Sequence, residues 1–170
     1  MFNGKVNNDV VEPLAALNSL RTLIIAGDAA ARLQQLMPNC SVVDPSVPTD
    51  PADLRAAQWA VDHGATFGIH GSESLFQKLP SQPFVLRSIQ GMKTGKPFSG
   101  FDKLNGIRGI DTLVLYNLTN SNTELVSIGK LETLRTLRIS SSDVSAKGLE
   151  QLKELSQLQV LRGSVKTTKY

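Results

Sequence analysis

Apolar residues return every 24 positions between Ile89 and Leu161. Ile89, Leu113, Leu137 and Leu161 form one column, and Leu86, Ile110, Leu134 and Leu158 a second. Leu104, Ile128 and Leu152 make a third, Phe101, Leu125 and Leu149 a fourth. Chance supplies one such column easily, but hardly four in register. A fixed period in the twenties is the mark of a solenoid, in which each unit buries its apolar edge only against its neighbours. Every unit runs L-x-x-L-x-x-L-x-[L/I], a turn leading into a short strand, and then a looser return segment. In the last return, Ala146 to Leu155 is expected to be helical, with Leu149, Leu152 and Leu155 on one face.

The start of the chain carries the same spacing. Val11, Leu14, Leu17, Leu20, Leu23 and Ile25 reproduce Leu125, Ile128, Leu131, Leu134, Leu137 and Ile139. In that register Met1 corresponds to Leu115, in mid-strand, which leaves a raw edge: the favoured expectation is a chain cut from a longer array, the alternative that something else covers that end. Ala29 to Leu36 predicts a helix with Leu33 and Leu36 on one face, Asp28 as N-cap and Pro38 as its stop. Val42-Val43 reads as a short strand. Pro45, Pro48 and Pro51 then mark a linker. Asp53 to His63 predicts a second helix, capped by Asp50 and ended by Gly64, with Leu54, Ala57, Trp59 and Val61 on its apolar side. Thr66–His70 and Phe84–Gln90 read as strands joined by a loop or short helix around Ser74–Lys78. The expected organisation is a partial first block at 1–44, a Pro-rich linker at 45–52, a helix-strand cap at 53–85 that shields the first core layer, and a second block of about three units at 86–170.

Leu131-Leu134-Leu137-Ile139 resembles the leucine-rich-repeat signature. Its continuation through Ser142, Val144 and Gly148-Leu149 is similar to the bacterial short-repeat type, whose strand ends in a Ser/Thr turn rather than an asparagine ladder. LRAAQWAVDHGATFGIH with KLPSQPFVLRSI is similar to the cap that precedes such repeats in some large bacterial proteins, and QQLMPNCSVVD resembles the way their arrays finish. The usual asparagine position falls here on Leu118 and Ser142, so hydrogen bonding in those turns has to come from elsewhere. The resemblance implies an α/β leucine-rich-repeat solenoid, with a parallel sheet on its concave side and helices or irregular segments on the convex side. It implies protein recognition as the commonest role, although fold resemblance alone does not fix function.

Composition narrows the classes. Hydrophobic content of 41% and charged content of 19% are those of a globular chain. Residues 1–102 hold eight Lys and Arg against nine Asp and Glu (net −1), and residues 103–170 ten against six (net +4). The second half is mildly basic, but without clustered Lys and Arg, and 5% aromatics gives few stacking platforms, so nucleic acid is not the expected partner. Cys40 is the only cysteine, which fits a reducing compartment, and the cytoplasm is favoured. No apolar run approaches the roughly 18 residues of a membrane span, and no signal pattern opens the chain.

Candidate chemistry is sparse. Gly91-Met92-Lys93-Thr94-Gly95-Lys96-Pro97 superficially suggests a phosphate loop. It has three residues between its glycines instead of four, and Pro97 stands where a magnesium-holding hydroxyl is needed. It reads as a turn. His63 is expected to complement the dipole at a helix end, and His70 to end a strand. Asp62 and His63 point apart on a helix, so they make no catalytic pair. One cysteine cannot make the usual sulphur-rich zinc site, and Cys40 reads as a buried small residue. No catalytic residue, metal or cofactor is expected.

The sheet face is the better candidate. If Leu113 and Leu115 point into the core, alternation turns Thr112, Val114 and Tyr116 outward. The 24-residue step then gives three rows: Ser88, Thr112, Thr136, Val160; Gln90, Val114, Arg138, Arg162; and Met92, Tyr116, Ser140, Ser164. Gln90, Met92, Val114, Tyr116, Arg138 and Arg162 form the expected contact surface, with Arg138 and Arg162 side by side to meet an acidic group. Tyr, Met and Arg are enriched in interface cores. The expectation is a non-catalytic module that recognises an unidentified protein or peptide. The alternative is a structural or regulatory segment of a larger multidomain protein, stacking on other repeats through exposed ends that would also allow self-association.

Overall fold

In a computed structural model the protein is described over residues 8–20, 22–38, 40–44, 46–92, 96–119 and 121–165. The position of Met1, residues 93–95 of the segment expected to form a turn, and the tail from 166 lie outside those residues. The fold is mixed α/β, with a parallel-rich sheet.

The first block holds α1 (Val11–Ala15), β1 (Thr22–Ile24), α2 (Ala29–Leu36) and β2 (Ser41–Val43). β1 and β2 pair in parallel, Thr22 opposite Ser41. Val11, Ile25, Ala29, Ala30, Leu33, Met37 and Cys40 form a small core of their own. Two expectations fail in α2. Leu33 is buried but Leu36 is half exposed, because Ala29 and Ala30 supply the rest of the packed face. Asp28 stands at the N-cap without a side-chain bond, being already in helical φ/ψ, which turns its carboxylate away from the free N–H groups.

The larger unit opens with α3 (Pro51–Asp62), which starts inside the expected linker. Pro51 has its ring in the first turn, where no N–H is required, and Asp50 Oδ1 accepts the Ala52 N–H at 2.7 Å. Gly64 ends the helix at φ +70°. The packed face consists of Ala52, Ala56, Ala57, Trp59 and Ala60, with Val61 partly buried against the same core, and not Leu54, which is exposed. Four alanines let the helix axis lie close to the sheet, and Trp59 supplies the bulk. Its ring lies 5.3 Å from that of Phe98 and 5.0 Å from that of Phe101, and its Nε1 donates to Ser99 O at 2.9 Å.

The sheet follows: β3 (Thr66–Ile69), β4 (Leu75–Phe76), β5 (Leu86–Gln90), β6 (Thr112–Tyr116), β7 (Thr136–Val144) and β8 (Val160–Val165). Its order is β4-β3-β5-β6-β7-β8. β3 runs antiparallel to both β4 and β5, so the sheet is mixed at this end rather than wholly parallel. β4 replaces the loop or short helix expected around Ser74–Lys78, and the Phe76 ring stacks on Phe67 at 5.8 Å.

From β5 onward the pairing is parallel and steps by 24. Ile89 is opposite Leu113, Leu113 opposite Leu137, and Leu137 opposite Leu161. Ile89, Leu113 and Leu137 are fully buried, whereas Leu161 is 48% exposed. Between the strands lie α4 (Ser121–Ile128), α5 (Ala146–Leu149) and 3-10 turns at Phe101–Leu104 and Glu150–Leu152. The return at Ala146–Leu155 is therefore α-helical for one turn only.

The turns lack an asparagine at Leu118 and Ser142; beside Leu118 the chain bonds Phe98 instead, with Thr119 N donating to Phe98 O (3.1 Å), and side chains farther along bridge neighbouring units. The Glu124 carboxylate accepts from Gly100 N (3.1 Å) and Phe101 N (3.0 Å) of the preceding unit. Asn122 Oδ1 accepts from Ser145 N (3.1 Å) and Ser145 Oγ (3.0 Å) of the following unit. Each bond reaches across one repeat step, so the units are tied by polar groups as well as leucines.

Candidate functional site

On the sheet, inward residues of β6 (Leu113, Leu115) alternate with outward Thr112, Val114 and Tyr116, which are only partly buried. The pairing joins Gln90, Val114, Arg138 and Arg162 into one continuous row. Neighbours in such a row lie roughly 4.8 Å apart. Arg138 and Arg162 are both exposed, and among the described residues neither belongs to an ion pair. Two guanidinium groups held on adjacent strands with no carboxylate between them repel each other, and an anion placed across them removes that repulsion.

The row Ser88, Thr112, Thr136, Val160 also pairs as expected. Ser88 is nevertheless buried, next to Gly68 of the neighbouring β3, and among the described residues its Oγ has no hydrogen-bond partner. The third row is incomplete: Tyr116 faces Ser140, but Met92 does not join them. β5 ends at Gln90, and Gly91 N still bonds Val114 O (2.7 Å). The cause is Phe98. Its ring fills the space a side chain at 91 would occupy, in the slot taken by Leu115 and Ile139 in the next two units. Met92 is left exposed beyond the strand end.

A second location escapes sequence reasoning. Where the first block meets the sheet lies a cavity of about 210 Å3, walled by Cys40, His70, Arg108, Asp111, Glu132 and Arg135 among others. His70 is buried at its margin. Its Nε2 lies 2.6 Å from Gly109 O, which can only accept, so Nε2 carries the proton. Its Nδ1 lies 3.1 Å from Thr22 Oγ1, and in the neutral ring it accepts from that hydroxyl. Burial lowers the His70 pKa and Arg87 adds to this, against the Gly109 carbonyl and Asp111. A neutral imidazole with both nitrogens engaged has no lone pair for base catalysis. Burial raises the Cys40 pKa, so its thiol stays protonated and unreactive at neutral pH. The wall alternates in charge, which gives no field of one sign to select a ligand. Among the described residues no group of three His, Cys, Asp or Glu is placed to hold a metal ion.

The glycines around His70 were the available signal. A Cβ at Gly109 would stand 2.6 Å from Val85 Cγ1 and 3.3 Å from His70 Nε2, and one at Gly71 would collide with Ile24 of β1. His63, by contrast, donates from Nδ1 to Trp59 O at 2.8 Å and stacks on Phe98, a structural place at the helix end. No helix among the described residues is long and apolar enough to cross a membrane. No protein-family model matches the chain, and a search of curated proteins finds no match.

Proposed function

We propose that the protein is a leucine-rich-repeat recognition module, an α/β solenoid whose sheet face binds an acidic segment of a protein or peptide. Residues 53–85 are its cap and residues 86–170 its second block of about three units. The carrying observation is the pair Arg138 and Arg162, opposite each other in register, exposed, and outside any ion pair among the described residues. Tyr116, Val114 and Gln90 lie on the same face and extend it with an aromatic, an apolar and an amide group. Strands hold such groups at fixed spacing with little loss of freedom on binding. The reading is non-catalytic, and in it His70 and Cys40 are structural: both imidazole nitrogens are engaged and the thiol is buried.

Fluorescence anisotropy with labelled Glu-rich peptides tests it. The parent chain should bind them in a salt-dependent way, and a neutral peptide should not bind. Arg138→Glu with Arg162→Glu should weaken binding by at least about a hundredfold, since each lost charge-assisted bond is worth about 1.5–3 kcal/mol. Tyr116→Ala should weaken it about tenfold, as for loss of a central aromatic contact. Unchanged affinity in the double reversal would refute the face assignment. A second reading, a structural or regulatory segment of a larger multidomain protein that stacks on other repeats, is favoured by Leu161, 48% exposed at the end of an otherwise buried column.

A further inference from the structure

The surroundings of Arg138 and Arg162 ask for more negative charge than one carboxylate carries. The two residues are opposite each other in register on β7 and β8, roughly 4.8 Å apart at the backbone. Both are exposed and outside any ion pair among the described residues. The residues in register around them are Thr112, Val114, Tyr116, Thr136, Ser140 and Val160, none of them acidic. Thr112, Tyr116 and Thr136 are partly buried, and among the described residues no hydrogen bond engages their hydroxyls. Hydroxyl donors and two guanidinium forks therefore share a stretch of sheet that offers them no carboxylate.

A carboxylate brings one charge and two oxygens, and it neutralises one of the two guanidinium groups. Two Glu side chains on one face of an extended peptide recur about 6.8 Å apart, wider than the step between β7 and β8. A phosphate monoester brings nearly two charges and three acceptor oxygens on a single phosphorus. One such group neutralises both arginines, whose planar forks match its oxygens in pairs, and can still accept from a hydroxyl.

We infer that the face takes a phosphorylated peptide segment, its phosphoryl group lying across Arg138 and Arg162 and its flanking chain along Val114 and Gln90. This occupant, which rests on the sheet-face reading, narrows the ligand from acidic segments in general to one dianionic group. A nucleic acid presents a series of monoanionic phosphates and calls for a basic stripe. Here the row passes from the arginines into an apolar residue and an amide, which suits one phosphoryl group on a peptide.

The discriminating measurement is fluorescence anisotropy with labelled peptides of one sequence, carrying at the centre a phosphoserine, a serine, or a pair of Glu that matches the phosphate charge. The phosphopeptide should bind the parent at least about tenfold more tightly than the two-Glu peptide, the effect of one more charge-assisted bond; the serine peptide should not bind. Lowering the pH from about 7.5 to about 5 should weaken the phosphopeptide about tenfold, since its second pKa of about 6 leaves roughly a tenth as dianion. The two-Glu peptide stays mostly ionised over that range and should change far less. Arg138→Lys with Arg162→Lys keeps the charge and loses the forks, so it should erase the preference and leave two-Glu binding within about twofold. Urea unfolding followed by Trp59 fluorescence checks that this variant is folded. Equal affinity for the two charged peptides, or a preference that survives the lysine variant, overturns the phosphoryl assignment and leaves the sheet-face reading standing. Failure of both charged peptides to bind the parent, or binding that Arg138→Glu with Arg162→Glu leaves unchanged, overturns both. A single-stranded oligonucleotide or a phosphatidic-acid vesicle that binds as tightly as the phosphopeptide overturns the peptide as occupant.

Discussion

Asp53 is a carboxylic acid placed where its charge is unwelcome. It is 4% exposed, on the first turn of α3, and its Oδ2 accepts the Leu86 N–H at 3.2 Å. Burial raises its pKa from 3.8 to about 6; the bond from Leu86 works against this and Asp50 adds to it. The folded chain therefore holds a proton that the unfolded chain has released between those two values. Stability from this site is fully present below pH 3.8 and is lost as pH rises through about 6. A proton affinity raised roughly a hundredfold by folding is worth about 3 kcal/mol. The helix N-terminus favours the anion by about 0.3–1 kcal/mol, which leaves about 2 kcal/mol. Asp53→Asn removes the charge and keeps an oxygen for Leu86, so the variant should be about 2 kcal/mol more stable than the parent at pH 8 and equal to it at pH 4. Trp59 is the only tryptophan and is buried on the same helix, so urea unfolding followed by its fluorescence reports this element directly. A variant less stable at pH 8, or a difference that does not change with pH, would show that the carboxylate's hydrogen bond outweighs the cost of burying its charge.

Three further outcomes follow from the packing and the junction. His70 has the opposite sign to Asp53: its pKa is lowered, so its contribution is present above 6.5 and is lost as pH falls below that value, and nitrogen NMR of the ring should show the Nε2–H tautomer at pH 7. Glu124→Ala leaves the Gly100 and Phe101 N–H groups without their acceptor and should lower stability by about 1.5–3 kcal/mol in urea melts, with Glu124→Gln recovering part. Leu137→Ala should cost about 2–5 kcal/mol, and Leu161→Ala, at micromolar concentration, less than about 1 kcal/mol; equal costs would mean that the end of the column is covered.

The 24-residue columns were legible because side chains two dozen positions apart meet across adjacent strands, and the pairing of Ile89, Leu113, Leu137 and Leu161 bears this out. The row through Arg138 and Arg162 followed from the same arithmetic. Helix faces were harder to read. Leu36 and Leu54 looked like core and are exposed, because alanines, weak in any hydrophobicity count, let α2 and α3 approach their neighbours closely. Met92 lies beyond the end of β5, where Phe98 fills the slot at Gly91, and no periodicity displays that arrangement. His70 was hidden for another reason: its partners Thr22 and Gly109 lie 48 and 39 residues away and belong to no column.

The constant step across the parallel strands also bears on how the chain folds. Each new strand closes a loop of 24 residues onto its predecessor, with an entropy cost of about 3 kcal/mol that is nearly the same every time. No strand has to wait for a distant one. During synthesis β6 can land on β5 before β7 has left the ribosome, and the growing edge remains one strand wide at every stage.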